Sequence, residues 1–189
     1  GTLGRVDNCQ VGVFANYCSP KGHAFIDRRL FLPEEWAEDG DRREEAGVPE
    51  AVVFRTKPEL GLEMLETAVR EQLPFTWVGG DSVYGDSPTF VQGVHALGKW
   101  YVLDVSSEAR VWLTEPQLRK TRASGSRSTK RAKATTKPIS VREAAAQLSP
   151  SAFRRVTVAD GSQGPILYEY AEMTVWFSED SSSHRIMNS

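Results

Sequence analysis

The sequence predicts an α/β fold in which helices flank a mixed β-sheet. Two strand-like segments, at residues 9–18 and 23–32, are joined by a short turn, which predicts an antiparallel pair. Residues 75–105 then alternate strand, helix and strand, the order that joins parallel strands. The mean hydropathy of −0.40 is atypical of a membrane-spanning chain, and no apolar run approaches the length of about 18 residues that a spanning helix needs.

The first two strands form a predicted hairpin. Residues 9–18 (CQVGVFANYC) carry small apolar side chains at every second position, as a strand with one buried face does. Residues 19–22 (SPKG) have the composition of a turn, and residues 23–32 (HAFIDRRLFL) supply the partner strand. The side chains that share the buried face of the first strand are Val11, Val13 and Ala15.

Two helices are predicted after the hairpin. Residues 33–36 (PEEW) begin the first, with a proline and acidic side chains in its first turn, and its charged stretch ends at Gly47. The second helix begins at residues 57–58 (KP) and ends near Gln72. Its apolar side chains recur at helical spacing: Leu60, Met64, Leu65 and Ala68.

A strand–helix–strand unit follows. Residues 75–80 (FTWVGG) form a short apolar strand that ends in two glycines, and residues 99–105 (KWYVLDV) form the next strand. Between them, residues 87–98 begin with Ser-Pro and end with glycine, as a helix does. Together with the hairpin, this unit predicts a mixed sheet with helices packed on its faces.

Residues 119–137 (RKTRASGSRSTKRAKATTK) interrupt this pattern. They contain no Val, Ile, Leu or aromatic residue, so they cannot contribute to a core, and we expect a solvated loop. We therefore divide the chain into a catalytic-type domain at 1–118, a basic flexible linker at 119–138 and a further subdomain at 139–189.

The last part is predicted to mix a helix with strands. Ser140 and Glu143 have the spacing of a capping box at the start of a helix. Residues 153–158 and 165–177 are strand-like, and residues 178–189 (SEDSSSHRIMNS) form a polar tail.

Charge is distributed unevenly along the chain. Residues 1–118 carry 11 Lys or Arg against 19 Asp or Glu, a net charge of −8, whereas residues 119–137 carry 8 basic residues and no acid. Residues 138–189 carry 4 and 6, which gives the total of −2. A basic strip within an acidic body indicates an element that binds a polyanion, although a solubilising linker has the same composition.

Asp81 is the strongest single candidate for chemistry. It directly follows the strand at 75–80, and α/β folds place ligands at the carboxyl ends of their strands. The glycines before it let the backbone bend and leave the carboxylate accessible. The alternative is that Asp81 only caps a helix or stabilises a turn. One carboxylate cannot hold a two-metal site, which needs several acidic ligands.

Four separated segments resemble one protein family. They are residues 1–15 (GTLGRVDNCQVGVFA), 33–36 (PEEW), 53–58 (VFRTKP) and 80–85 (GDSVYG). In this order they resemble the DDE transposases of bacterial insertion sequences, of the DDE superfamily endonuclease type. The resemblance covers residues 1–118 well and the remainder loosely.

This resemblance implies an RNase H-like fold with an Asp, Asp, Glu triad that binds Mg²⁺ or Mn²⁺ and cuts DNA at transposon ends. Asp81 matches the second acid of the triad and so becomes the expected catalytic and metal-binding residue. The first Asp would precede Gly1 and the Glu would lie beyond Ser189, so we expect a partial transposase that is inactive alone. Residues from about 106 onward would then begin a strand-rich insertion.

The basic strip agrees with a DNA substrate because its side chains could contact several phosphates. We expect a cytoplasmic, nucleoid-associated protein without membrane contact, in which an incomplete sheet favours self-association through its open edge. The alternative function is a non-catalytic DNA-binding or interaction remnant. The expected phosphate-binding residues are Arg119, Lys120, Arg122, Arg127, Lys130, Arg131, Lys133 and Lys137.

Other residues receive structural interpretations. Asp86 and Asp104 are expected in a turn and at a strand end, and the sequence gives no role for Tyr84. The tryptophans are expected in or near the core rather than as platforms for base stacking: Trp36, Trp77, Trp100, Trp112 and Trp176. An unrelated metabolic enzyme is disfavoured because no phosphate-binding glycine loop is present.

Overall fold

A computed structural model describes residues 10–120, 132–178 and 183–186 of the chain. Backbone contacts divide the chain into two compact units, of which the first ends at Val105 and the second begins at Ser106. The sequence-based domain boundaries stay a prediction. The first unit contains β1 (Val11–Ser19), β2 (Gly22–Phe31), α1 (Glu34–Glu38), α2 (Gly40–Glu45), α3 (Lys57–Arg70), β3 (Trp77–Gly80), α4 (Ser82–Gly85), α5 (Pro88–Ala96) and β4 (Trp100–Leu103).

Strands β1 and β2 form the predicted antiparallel hairpin, from Val11 opposite Phe31 to Ser19 opposite Gly22. Val13 is buried on the predicted inner face of β1. The other face of the hairpin carries exposed aromatic rings, with Phe14 and Phe25 5.6 Å apart. The hairpin therefore has one face against the core and one apolar face in solvent.

The charged segment after the hairpin forms two short helices, so the prediction of one continuous helix is wrong. The chain is extended at Asp39, with φ −88° and ψ 94°. The Asp39 side chain accepts a hydrogen bond from the Arg42 N–H at 3.1 Å and caps α2. A capping aspartate in mid-segment ends α1 and starts α2, because its side chain competes for the backbone donors.

Helix α3 carries the core of the first unit. Thr56 and Glu59 form a capping box at its start: the Thr56 N–H donates to Glu59 Oε2 at 2.7 Å, and the Glu59 N–H donates to Thr56 Oγ1 at 3.3 Å. Of the four predicted apolar side chains of α3, Leu60, Met64 and Ala68 are buried and Leu65 is half-buried. Leu60 and Met64 pack against Val13 of the hairpin.

Strands β3 and β4 are parallel, with Trp77 opposite Trp100 and Gly80 opposite Leu103. Helix α5 connects them and buries Phe90 and Val94 against Val78. The α/β class is thus confirmed. The predicted single mixed sheet is not found, because within residues 10–105 the hairpin and the parallel pair are separate two-stranded sheets.

The second unit is rich in strands. It contains β5 (Arg110–Trp112), β6 (Leu118–Lys120), β7 (Ala132–Ala134), β8 (Ile139–Ser140), α6 (Val141–Ala146), a 3-10 turn (Pro150–Ala152), β9 (Arg154–Gly161), β10 (Gly164–Tyr170), β11 (Val175–Ser178) and β12 (Ser183–Ile186). Four of these strands form an antiparallel sheet in the order β12, β11, β5, β8, around the fully buried Val111.

Three expectations for this unit are corrected. The strand predicted at 165–177 is two strands, β10 and β11, that belong to different sheets. Part of the predicted polar tail, Ser183–Ile186, pairs with β11. The basic strip is not loop throughout, because β6 and β7 pair at its ends. A polar strand such as β12 is recruited by the backbone hydrogen bonds of its partner, which side-chain pattern does not reveal.

Candidate active site

Asp81 lies where the first unit exposes the carboxyl end of its parallel strands. It directly follows β3, and Asp104 directly follows the neighbouring β4. The Asp104 N–H donates to the Gly80 carbonyl at 3.0 Å, so the strand ladder continues to the last residue before Asp81. Both carboxylate residues are exposed. The predicted placement of Asp81 at a strand end is confirmed, and Asp104 stands at the matching position of the next strand.

Asp81 also caps the short helix α4. Its Oδ1 accepts a hydrogen bond from the Val83 N–H at 3.0 Å. Its carbonyl accepts from the N–H groups of Tyr84 and Gly85, at 3.0 and 3.1 Å. The structural role that the sequence left open for Asp81 is therefore real. It does not compete with a chemical role, because the cap uses one oxygen of an exposed carboxylate.

Tyr84 anchors this turn to the core. Its ring packs 5.0 Å from the ring of Phe90 and contacts both hydrophobic clusters of the unit, the one around Val13 and the one around Val78. Burial raises the pKa of Tyr84, and the negative charge of Asp81 raises it further. Tyr84 therefore stays a neutral, partly buried brace one helical turn from Asp81.

Glycines next to the Tyr84 ring leave room for it. A Cβ on Gly61 of α3 would lie 2.8 Å from Cε1 of Tyr84, and a Cβ on Gly80 would lie 3.3 Å from Cδ2 of the same ring. A Cβ on Gly85 would overlap the carbonyl oxygen of Asp104. The segment GDSVYG at 80–85 therefore has a packing reason for both of its glycines and for its tyrosine.

The expected phosphate-binding residues are only partly described. The backbones of Arg119 and Lys120 lie in β6 and that of Lys133 lies in β7, while Lys137 is exposed after β7. The other four lie outside the described residues: Arg122, Arg127, Lys130 and Arg131. The DNA-binding role of the strip stays a prediction.

A family model described as DDE superfamily endonuclease matches residues 1–165. The match covers most of the 189 residues and includes Asp81 with its surrounding turn. The chain belongs to the DDE superfamily endonucleases. A search of curated proteins and a search of solved structures gave no match.

For this DDE endonuclease, the described residues do not fit a complete metal site. Divalent cations such as Mg²⁺ and Mn²⁺ prefer several oxygen ligands at once. Across the described ranges, no group of three or more His, Cys, Asp or Glu side chains is arranged to hold a metal ion. Asp81 offers a carboxylate of the right chemistry, but the chain as described provides no full set of ligands around it.

Sequence reasoning missed three features of the DDE endonuclease. It predicted no helix at residues 82–85, although the capping role considered for Asp81 was a signal of one. It also gave Tyr84 no role. Finally, it placed the tryptophans near the core, whereas Trp77 and Trp100 are 58% and 62% exposed, with ring centroids 6.0 Å apart.

In the part of the chain that the structure describes, no helix combines the length and the apolar character that crossing a bilayer requires.

Proposed function

We propose that this chain is part of a transposase whose complete form cleaves and joins DNA at transposon ends by metal-dependent phosphoryl transfer. The observation that carries the proposal is Asp81, an exposed carboxylate at the end of β3 inside the matched DDE endonuclease region. An RNase H-like arrangement of the complete domain belongs to the same proposal. It is supported by an antiparallel hairpin followed by a parallel pair with helices between.

In this proposal, Asp81 supplies one of three acidic ligands for Mg²⁺ or Mn²⁺, and the chain alone is inactive. The other two acids are not assigned to residues of this sequence. This chain positions the Asp81 carboxylate. Helix α4 and Tyr84 hold the backbone of Asp81 at the end of β3, so the carboxylate extends from a fixed point. Hard cations favour such oxygen ligands because the carboxylate charge is concentrated on small, weakly polarisable atoms.

The test uses a longer chain that contains these residues together with the flanking coding segments. We expect it to nick DNA carrying the transposon ends when Mg²⁺ or Mn²⁺ is added, and we expect Asp81→Asn to abolish nicking. Asparagine keeps a capping oxygen but loses the charge that a metal requires. The matched control is Asp39→Asn, because Asp39 is also an aspartate that caps a short helix, although it is half-buried. Full nicking by Asp81→Asn would contradict the proposal.

A second function is a DNA-binding remnant that acts through the basic strip without catalysis. The observation that favours it is the lack of a three-ligand cluster among the described residues. It predicts that the longer chain binds DNA but never nicks it, with or without Asp81, so the same assay separates the two functions.

A further inference from the structure

The hairpin of β9 and β10, called the arm below, forms a two-stranded sheet of its own. Every residue of its two strands is exposed, apart from Gly161 at the turn, which is half-buried. An isolated two-stranded hairpin is marginally stable in water, because it buries too little apolar surface. Among the described strands no third one joins this arm of seven to eight residues a strand, so the arm points to a partner.

The two faces of the arm differ in chemistry. Directly opposite residues of antiparallel strands point to the same face. Val156 lies opposite Tyr168, and Ala159 lies opposite Ile166, so one face is apolar apart from Arg154, which lies opposite Tyr170. Arg155 lies opposite Glu169 on the other face, where their side chains form an ion pair at 2.7 Å. Tyr168 on the apolar face is 61% exposed.

Charge indicates what kind of partner this is. The charged side chains of the arm are two arginines and two acids: Arg154, Arg155, Asp160 and Glu169. Their charges cancel, and there is no excess of positive charge to neutralise phosphates. The arm is therefore suited to a protein surface that is itself neutral overall.

The free edge of β9 is complementary to itself. Among the described strands, β9 pairs only with β10, so its second edge is open. The outer edge of β10 contains Pro165, which lacks an N–H donor. We place β9 antiparallel to β9 of a second copy, with the two-fold axis between Thr157 and Val158. Arg155 of each copy then lies opposite Asp160 of the other copy.

A β-bulge makes this register possible. Thr157 pairs with Leu167 and Ala159 pairs with Ile166, so Val158 is an extra residue in β9. In a regular strand, positions 155 and 160 would point to opposite faces. The extra residue brings Arg155 and Asp160 to one face and Val156 and Ala159 to the other. Across the two-fold axis, opposite charges then meet on one face of the sheet and apolar side chains meet on the other.

We propose that β9 pairs antiparallel with β9 of a second copy of this chain, forming a four-stranded sheet of the two arms held by reciprocal Arg155–Asp160 contacts. The sheet brings the two apolar faces side by side and supplies backbone partners to both open edges. The proposal goes beyond the transposase function and does not depend on Asp81 or on a metal.

The test is sedimentation of the full 189-residue chain over concentrations of about 1 to 100 µM, without DNA or metal. We expect a concentration-dependent dimer. Asp160→Arg places like charges opposite each other at both contacts, and we expect it to weaken the dimer at least about tenfold. The matched control, Glu169→Gln, breaks only the ion pair within one arm and should leave the dimer intact.

A charge-exchange pair makes the test specific. Arg155→Asp combined with Glu169→Gln leaves two negative charges at the contact positions, and Asp160→Arg leaves two positive ones. Each variant alone should dimerise at least about tenfold more weakly than the wild type, and an equimolar mixture should form heterodimers. A monomeric wild type would overturn the proposal, as would a dimer that Asp160→Arg leaves unchanged, a mixture that stays monomeric, or a dimer that forms only on DNA. DNA cleavage plays no part in these measurements, so their failure and that of the transposase proposal are separate.

Discussion

At the residue scale, Asp81 shows how one side chain serves the fold and remains available for chemistry. Its Oδ1 accepts from the Val83 N–H at 3.0 Å, and the residue stays exposed at the end of β3. Helix N-termini carry partial positive charge from their unpaired N–H groups, which favours a carboxylate there. Capping and metal binding are thus separable by substitution.

Substitutions at Asp81 should separate stability from chemistry. Asp81→Ala removes the capping oxygen and should lower the free energy of unfolding by about 1 kcal/mol. Asp81→Asn retains a capping oxygen and should change it by only a few tenths of a kcal/mol. Urea unfolding of both variants checks this expectation. Equal losses for the two would mean that the hydrogen bond to Val83 does not carry the stabilisation.

The glycines around Tyr84 should differ in their tolerance of a methyl group. Gly85→Ala drives a Cβ into the backbone of Asp104, which cannot move without disturbing β4, so we expect a loss of 3 kcal/mol or more, about the upper range for overpacking. Gly61→Ala meets the edge of the Tyr84 ring and should cost about 1 to 2 kcal/mol. Thermal unfolding gives the ranking. Gly98→Ala is no control because of its positive φ, whereas Gly40→Ala meets nothing within 4 Å and is suitable.

At the element scale, the capping residues determine where helices α3 and α6 begin. The capping box of α6 was predicted from Ser140 and Glu143 alone, and both of its reciprocal hydrogen bonds are present. The equivalent box of α3 joins Thr56 to Glu59. These motifs depend on residues three positions apart, so no distant part of the chain is needed to form them.

Acid should weaken the α3 box in a predictable direction. Hydrogen bonds from the backbone and side chain of Thr56 lower the pKa of Glu59. Because the pKa is lower in the folded chain, the stabilisation is complete above the ordinary carboxyl pKa of about 4.3 and is lost as the pH falls through the lowered folded value. Glu59→Gln lacks this charge, so at neutral pH it should lose the increment that the wild type loses in acid, and its stability should depend less on pH. Urea midpoints at neutral and acid pH, with Glu66→Gln as the control, measure the effect.

The difference between local and long-range causes explains much of what the sequence could and could not predict of the fold and the site. Strands β1 and β3, helix α3 and the position of Asp81 followed from local periodicity and turn chemistry. The break at Asp39, the pairing of β12 and the exposure of Trp77 did not. The break at Asp39 has a local cause, since an aspartate in mid-segment caps a new helix there. The other two depend on which segment packs nearby, and a one-dimensional pattern contains no such information.

At the scale of the whole molecule, the uneven distribution of charge predicts how DNA affinity depends on salt. Replacing Arg127, Lys130, Arg131 and Lys133 together by Gln should lower the slope of log affinity against log salt for duplex DNA by about 3 to 4, since each phosphate contact contributes about 0.9. Titration of the full chain with duplex DNA over a range of salt concentrations measures this slope.

The control removes the same number of charges from scattered exposed positions: Lys21, Arg28, Arg70 and Arg154. If the strip binds DNA, this variant should keep most of the slope. A slope that the strip substitutions leave unchanged would remove the strip from the interface, and an equal fall in both variants would assign the effect to net charge.

The two exposed tryptophans have an optical consequence. Trp77 and Trp100 face each other across β3 and β4, and residues 81 and 104 follow directly on these strands. Both tryptophans are more exposed to solvent than Trp36, which is 37% exposed. The long-wavelength part of the intrinsic fluorescence therefore originates at the start of β3 and β4, the end of these strands opposite to Asp81. A molecule that covers these two rings should shift the emission to the blue, so the chain contains its own unlabelled reporter for the start of the parallel strand pair.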